Sequence, residues 1–237
     1  MRALDALVEL NRTLGRKTGW TIRKYQADFA AARQHLIQTA KVDLFVDGGA
    51  NTGQWARPIV DLYKSALVVS FEPELSSFNQ LAKLANHENW KVENCALGES
   101  NHKATLRIPS LNTMASSLER PTAWSAKVYP EIQFDRVQEV QVRRLDEFTF
   151  MESKDIFLKL DVQGSELKAL KGCGNLLDRV KVIEVETSIN RFYEGEAGHY
   201  EIIPWLIEKG FYPFSMFTPN VSRTGQVNYI DVLLERT

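Results

Sequence analysis

The segment Val42-Asp43-Leu44-Phe45-Val46-Asp47-Gly48-Gly49-Ala50-Asn51-Thr52-Gly53-Gln54 joins an apolar run to a turn of small residues. The run has the length and composition of a buried strand, and it stops on an acid. Glycines in the turn permit positive φ and let another group approach where a Cβ would stand. Asn51 sits where a further glycine is common, and Asn tolerates the left-handed region best among residues with a side chain. A helix is expected over residues 52–63, with Thr52 as its cap.

Working outward, residues 67–71 read as a second buried strand ending at Glu72-Pro73, and residues 75–85 as the helix after it. Residues 90–95, 156–161 and 182–186 give three more strands, with helices expected over 166–177 and 201–209. Strands over 212–217 and 228–234 close the chain. This alternation predicts an α/β fold, a mostly parallel sheet with helices on both faces. Asp47, Glu72, Asn94, Asp161 and Glu186 each end an expected strand. In such sheets the ligand crevice lies outside the carboxyl ends of the strands, so these five side chains should share one edge.

Two stretches fall outside the simple alternation. Ile22, Tyr25, Phe29, Ala32, Leu36 and Ile37 recur at helical spacing, which predicts an N-terminal helical extension over 1–40 ahead of a domain over 41–237. Leu4, Leu7, Val8, Leu10 and Leu14 fall near one helical face, suited to packing or to a homo-oligomer contact. Residues 103–150 are irregular, with short strands expected over 104–108 and 137–142. Loops of this kind hold acceptors, so the stretch is read as an acceptor-side insert.

Composition narrows the partners. A formal charge of -1 over 237 residues shows no basic excess for a nucleic-acid partner. No stretch approaches the ~18 apolar residues of a membrane span. Cys95 and Cys173 have neither metal-ligand spacing nor a disulfide framework, and they read as reduced thiols of a cytoplasmic protein.

The acids specify the ligand further. Asp47 would repel a pyrophosphate and suits a cationic or amine-bearing ligand. Glu72 lies where an acid hydrogen-bonds ribose hydroxyls. Ribose without pyrophosphate, together with a positive charge, describes S-adenosylmethionine. The Gly48-x-Ala50-x-x-Gly53 spacing also resembles a dinucleotide loop, which keeps an NAD-dependent oxidoreductase as a rival. No Tyr and Lys four apart offer the acid–base pair that rival would want.

At this point the chain resembles a known family. The turn over 46–54, Phe71-Glu72-Pro73, Asn94-Cys95-Ala96-Leu97-Gly98 and Leu158-Lys159-Leu160-Asp161-Val162-Gln163-Gly164-Ser165-Glu166 occur in order. Together with Ser116-Ser117-Leu118, Leu170-Lys171-Gly172, Glu186 and Phe192-Tyr193-Glu194-Gly195 they look like the FkbM-type methyltransferases, over about residues 42–215. The resemblance implies a class I methyltransferase sheet of seven strands, the last antiparallel. It implies O-methylation of sugars, glycolipids or natural products. Asp47, Gly49, Asn51 and Gly53 would surround the methionine moiety, Glu72 would hold the ribose, and Asn94, Ala96 and Leu97 would lie near adenine. Gly48, Gln54 and Pro73 lie in the same two loops and count among the cofactor-binding positions. Gly48 departs from the family, which often carries a larger residue there.

Methyl transfer to a hydroxyl benefits from a base that removes its proton during attack. Asp161 at the end of the central strand is the first candidate and Glu186 on the neighbouring strand the second. Together these two carboxylates could also share a proton or hold a divalent metal, which is not favoured because no further ligand has suitable spacing. Asp161 reads equally well as a cap for the following helix. Glu184 shares a face with Glu186, so one of them can be structural, and Lys159 can pair with a carboxylate. On the acceptor side, Ser116, Ser117, Tyr193 and His199 are the candidate contacts, with Trp124, Tyr129 and Phe192 as further aromatics. A small-molecule or glycan acceptor is expected. A cofactor-binding scaffold without catalysis remains open.

Overall fold

The structure is a computed structural model that describes residues 25–110, 113–149, 154–218 and 225–237. The expected contacts of Leu4, Leu7, Val8, Leu10 and Leu14 lie outside the described residues. Helix α1 (Tyr25–Thr39) precedes the alternating units β1 (Leu44–Gly48), α2 (Ala56–Leu62), β2 (Leu67–Phe71), α3 (Leu75–Leu84) and β3 (Trp90–Glu93). The insert follows as β4 (Ala96–Leu97), β5 (His102–Pro109), α4 (Ala123–Val128) and β6 (Phe134–Arg143). The chain then re-enters the main sheet with β7 (Ile156–Leu160), α5 (Glu166–Lys171), β8 (Val180–Ser188), α6 (His199–Glu208), β9 (Phe211–Phe217) and β10 (Tyr229–Arg236).

Seven strands form the main sheet in the order β3-β2-β1-β7-β8-β10-β9. The final strand, β10, runs antiparallel to both of its neighbours, as the class I methyltransferase arrangement requires. Strands β1 and β7 are buried on both faces because helices cover both sides. Alternation sorts their side chains into two layers. Phe45, Val68, Phe157 and Val182 pack with Leu36 of α1 and Ile59 of α2, while Val46, Val69, Leu158 and Ile183 pack with Leu170 of α5 and Leu206 of α6. Each such side chain contributes about 1.5–3 kcal/mol when fully withdrawn from water. Among the described residues no helix is long and apolar enough to cross a membrane.

Three local expectations change. The helix expected over 52–63 starts only at Ala56, and Trp55 rather than Thr52 is its N-terminal boundary, with no side-chain cap. Asn51 (φ 47°) and Gly53 (φ 92°) take left-handed conformations that a helix cannot include. The helix expected over 166–177 ends at Lys171, and a 3-10 turn covers Gly174–Arg179, because Gly174 (φ 48°) breaks the ladder. The insert forms its own sheet, ordered β4-β6-β5, whose two long strands exceed the segments expected from sequence.

Candidate active site

The first and fourth strand-end loops meet at the middle of the sheet edge. Gly49 (φ 76°) and Ala50 both donate backbone hydrogen bonds to the Phe71 carbonyl, which folds the glycine turn back over β2. A Cβ on Gly49 would stand 1.8 Å from the Asp161 carbonyl oxygen, so only glycine permits this approach. Asn51 has the left-handed conformation its residue type allows, and Gln163 (φ 51°) shares it in the facing loop.

Register then builds two polar rows across one face of the sheet. The lower row runs Ser70–Asp47–Lys159–Glu184 on neighbouring strands. Lys159 Nζ lies 3.1 Å from Asp47 Oδ1 and donates to the Gly48 and Gly49 carbonyls at 3.3 and 3.1 Å. Asp47 is 0% exposed and lines no part of the cleft, so the position expected beside the methionine moiety instead anchors the glycine turn from beneath. Burial raises the Asp47 pKa and Lys159 opposes that rise. For Lys159, burial acts downward, but Asp47, Asp161 and Glu184 together hold it above the ordinary lysine value. Glu184 is committed too: Arg33 grips both its oxygens and Trp55 Nε1 donates to it at 3.2 Å.

The upper row is Asp161, Glu186 and Asp231. Glu186 faces Asp231 across the β8–β10 pair, and Asp161 follows β7 one strand away. Asp161 accepts a hydrogen bond from Gln163 Nε2 at 2.7 Å, whereas Glu186 and Asp231 accept none among the described residues. Burial, then the neighbouring carboxylates, push Glu186 well above the ordinary carboxylate range and Asp231 to about 7. Asp161 does not cap α5. Glu166 serves that turn, accepting from Val162 and Gly164 backbone N–H at 2.9 and 3.1 Å.

Three cavities open along this edge. The first, about 530 Å³ with the open solvent at its mouth counted, lies between Gly49, Glu72, Pro73, Ala96, Leu97 and the insert, where Ser116, Thr113 and Met114 line it. Glu72, 5% exposed, accepts from the Asn51 and Glu74 backbone N–H at 2.7 and 2.8 Å. An ionised carboxylate has about four acceptor sites, so two remain for a ligand. Burial raises Glu72 to about 7, against the pull of those two amides. The second cavity, about 1200 Å³, is walled by Tyr129, Phe192, Tyr193 and Tyr229 and floored by Asp161 and Glu186. A third, about 740 Å³, lies behind them and is bounded by Arg33, Gln54, Trp55 and Asp231. Gly49, Asn51, Met114 and Asp161 border all three.

Several expected contacts lie elsewhere. Asn94 is exposed and braces the acid loop, donating to the Glu72 and Pro73 carbonyls at 2.8 and 3.2 Å. A Cβ on Gly48 would meet Leu160 and Leu97 side chains, and one on Gly53 would meet Leu81 and Trp90, so both sit behind the cleft. Gln54 lines only the third cavity. Ser117 is buried, donating to the Gln163 carbonyl at 2.6 Å and accepting from Glu119 N–H at 3.1 Å. His199 sits against Thr187 Oγ1 at 2.9 Å, outside the cavities, with its pKa lowered by burial. Trp124 stacks edge-on behind Phe192. Ser116 and Tyr193 do line the site; Tyr193 Oη donates to Gln163 Oε1 at 2.9 Å. Gln163, Thr113, Met114 and Asp231 were missed. Gln163 lay inside a quoted motif, whereas Asp231 had no local signal and depends on β10 pairing with β8. Among the described residues no group of three or more His, Cys, Asp or Glu is placed to hold a metal ion.

Residues 47–213 match the methyltransferase FkbM domain. The chain belongs to this family. It is also 26% identical over 202 residues to the 2-O-methyltransferase NoeI of Sinorhizobium fredii (strain NBRC 101917 / NGR234), covering 80% of this chain and 82% of that protein. Among solved structures it resembles the magnesium protoporphyrin IX methyltransferase ChlM of Synechocystis PCC 6803, at 11% identity and a TM-score of 0.45 over 98% of this chain and 97% of that one. It also resembles the B. subtilis tRNA methyltransferase TrmK, at 10% identity and a TM-score of 0.45 over 86% of this chain and 64% of that one. Gly49, Asn51, Met114, Asp161 and Gln163 border both the first and the second cavity of this FkbM-family chain.

Proposed function

We propose that the protein transfers a methyl group from S-adenosylmethionine to a hydroxyl of a sugar, glycolipid or natural product in the cytoplasm. The observation that carries this reading is the shared boundary of two cavities, with one carboxylate, Asp161, at the joint. The first cavity fits the donor. Glu72 offers its two remaining acceptor sites to ribose hydroxyls, and Ala96, Leu97 and Leu106 give adenine an apolar wall. Gly49 and Asn51 border the methionine end. Among the described residues no Lys or Arg lines this cavity to receive a pyrophosphate, which weighs against NAD.

The donor supplies an electrophilic methyl on a positively charged sulfur. Asp161 orients the acceptor hydroxyl and takes its proton as the oxygen–carbon bond forms and the sulfur–carbon bond breaks, leaving a neutral thioether, with Glu186 beside it on the cavity floor. Tyr193 and Gln163 hold the Asp161 loop in place through their shared hydrogen bond. The name of the relative NoeI supports oxygen as the methylated atom. Isothermal titration should show S-adenosylhomocysteine binding with NAD silent, and a methyl-release assay over neutral glycosides should show turnover. Binding of NAD with S-adenosylhomocysteine silent would end this reading.

A further inference from the structure

Among the described residues the second cavity is lined by five acids, Glu131, Asp161, Glu166, Glu186 and Glu196, and by no Lys, Arg or His. Not all of these charges are open to a ligand. Glu166 is tied to the Val162 and Gly164 amides, and Glu196 to Ser188 and to the Phe192 and Tyr193 amides. Glu131 stands exposed at the rim. What remains is Asp161 and Glu186 on the floor, with Asp231 paired to Glu186 on the next strand. Glu186 is largely enclosed yet accepts no hydrogen bond among the described residues. Lys159 and Arg33, which border the third cavity together with Glu186 and Asp231, are already engaged, Lys159 by Asp47 and two carbonyls, Arg33 by Glu184.

The walls supply the second observation. Phe192 lies 5.5 Å from Tyr129 and 6.0 Å from Tyr229, ring centre to ring centre, tilted against the first and edge-on to the second, and all three rings line the same cavity as Asp161 and Glu186. Aromatic faces attract ammonium groups within about 6 Å of the ring centroid, and carboxylates pair with the same cation. An anion placed here would meet Asp161 and Glu186 with no compensating positive charge among the described residues that line the cavity.

We infer that the acceptor is a hydroxylated molecule bearing a free ammonium group, of the amino-sugar glycoside type, and that phosphorylated or carboxylated acceptors are excluded. The ammonium sits on Glu186, backed by Asp231, against the Phe192 and Tyr229 faces, while the hydroxyl to be methylated reaches Asp161. This rests on the proposed methyl transfer, since the cavity is read as the acceptor side of that reaction.

The test uses the full chain, first titrated with S-adenosylhomocysteine alone to check the donor site. Failure there would remove the donor reading and this inference together. The loaded protein is then titrated with a matched series: methyl glucosaminide with a free amine, its N-acetyl form, methyl glucoside and methyl glucuronide. We expect the free amine to bind at least about tenfold tighter than the neutral members, consistent with a charge-assisted hydrogen bond. The glucuronide should be silent. In Glu186→Gln and Asp231→Asn the amine preference should shrink toward unity while affinity for S-adenosylhomocysteine is retained. Equal binding of amine and neutral glycosides, preference for the glucuronide, or no binding by any member would overturn the inference. So would an amine preference that survives both substitutions, or glycoside binding that requires added Mg²⁺.

Discussion

The proposed donor and acceptor sides of the cleft lie on one sheet edge but treat their carboxylates in opposite ways. On the donor side, Glu72 is already held by two backbone amides, and Asp47 is neutralised from beneath by Lys159. On the acceptor side, Glu186 and Asp231 face each other with no hydrogen-bond donor among the described residues, next to Asp161. The donor half is therefore complete before anything binds. The proposed acceptor half presents carboxyl groups whose charged form burial and mutual repulsion disfavour, and an incoming hydroxyl or cation would relieve that. A side chain's role here follows from whether the fold has already answered its charge.

The largest expected break of this contrast comes from Asp161→Asn. Loss of the base should lower kcat by about 10²–10⁴-fold, while S-adenosylhomocysteine affinity stays within about threefold. Equal losses in turnover and in titrated affinity would move Asp161 to the donor side of the comparison. Next, Lys159→Met strands the Asp47 carboxylate in the interior and should cost about 3–5 kcal/mol in denaturant unfolding. Adding Asp47→Asn should recover part of that loss, because the pair is coupled. An unaltered unfolding curve for Lys159→Met would show that the lower row is not a buried ion pair.

Glu72→Ala should weaken S-adenosylhomocysteine by about 10–100-fold in isothermal titration, since hydrogen bonds to a charged group are worth about 1.5–3 kcal/mol each. The effect should be mostly on affinity, with kcat at saturating donor little changed. The smallest effect is on pH dependence. Burial raises Glu72 and Asp231 to about 7 and Glu166 to about 8, so between pH 5 and 8 the folded chain holds more protons than the unfolded chain. Stability of the unliganded protein should therefore fall as pH rises through that window, by a few degrees in Tm. Glu186→Gln should flatten the slope by removing one repelling carboxylate. A Tm that climbs with pH would contradict the uncompensated upper row.

Legibility in the sequence followed the range of the interactions. Gly49, Asn51, Glu72 and Asp161 were readable because a turn, a left-handed residue and a strand end are local events. Asp47 was readable as important but was assigned to the wrong side of the loop, since only β1–β7 register puts Lys159 beneath it. Ser117 and His199 looked free in one dimension and are engaged in three, by Gln163 and Thr187.

The amino-acid order by itself determined the alternating strands and helices, the glycine turn and the shared edge of the acids, because burial and backbone preference act over a few residues. Which acids are neutralised and which are left waiting was decided only by the folded sheet. Asp47 and the Lys159 that compensates it are 112 residues apart in chain position, and Glu186 and Asp231, which repel each other, are 45 apart.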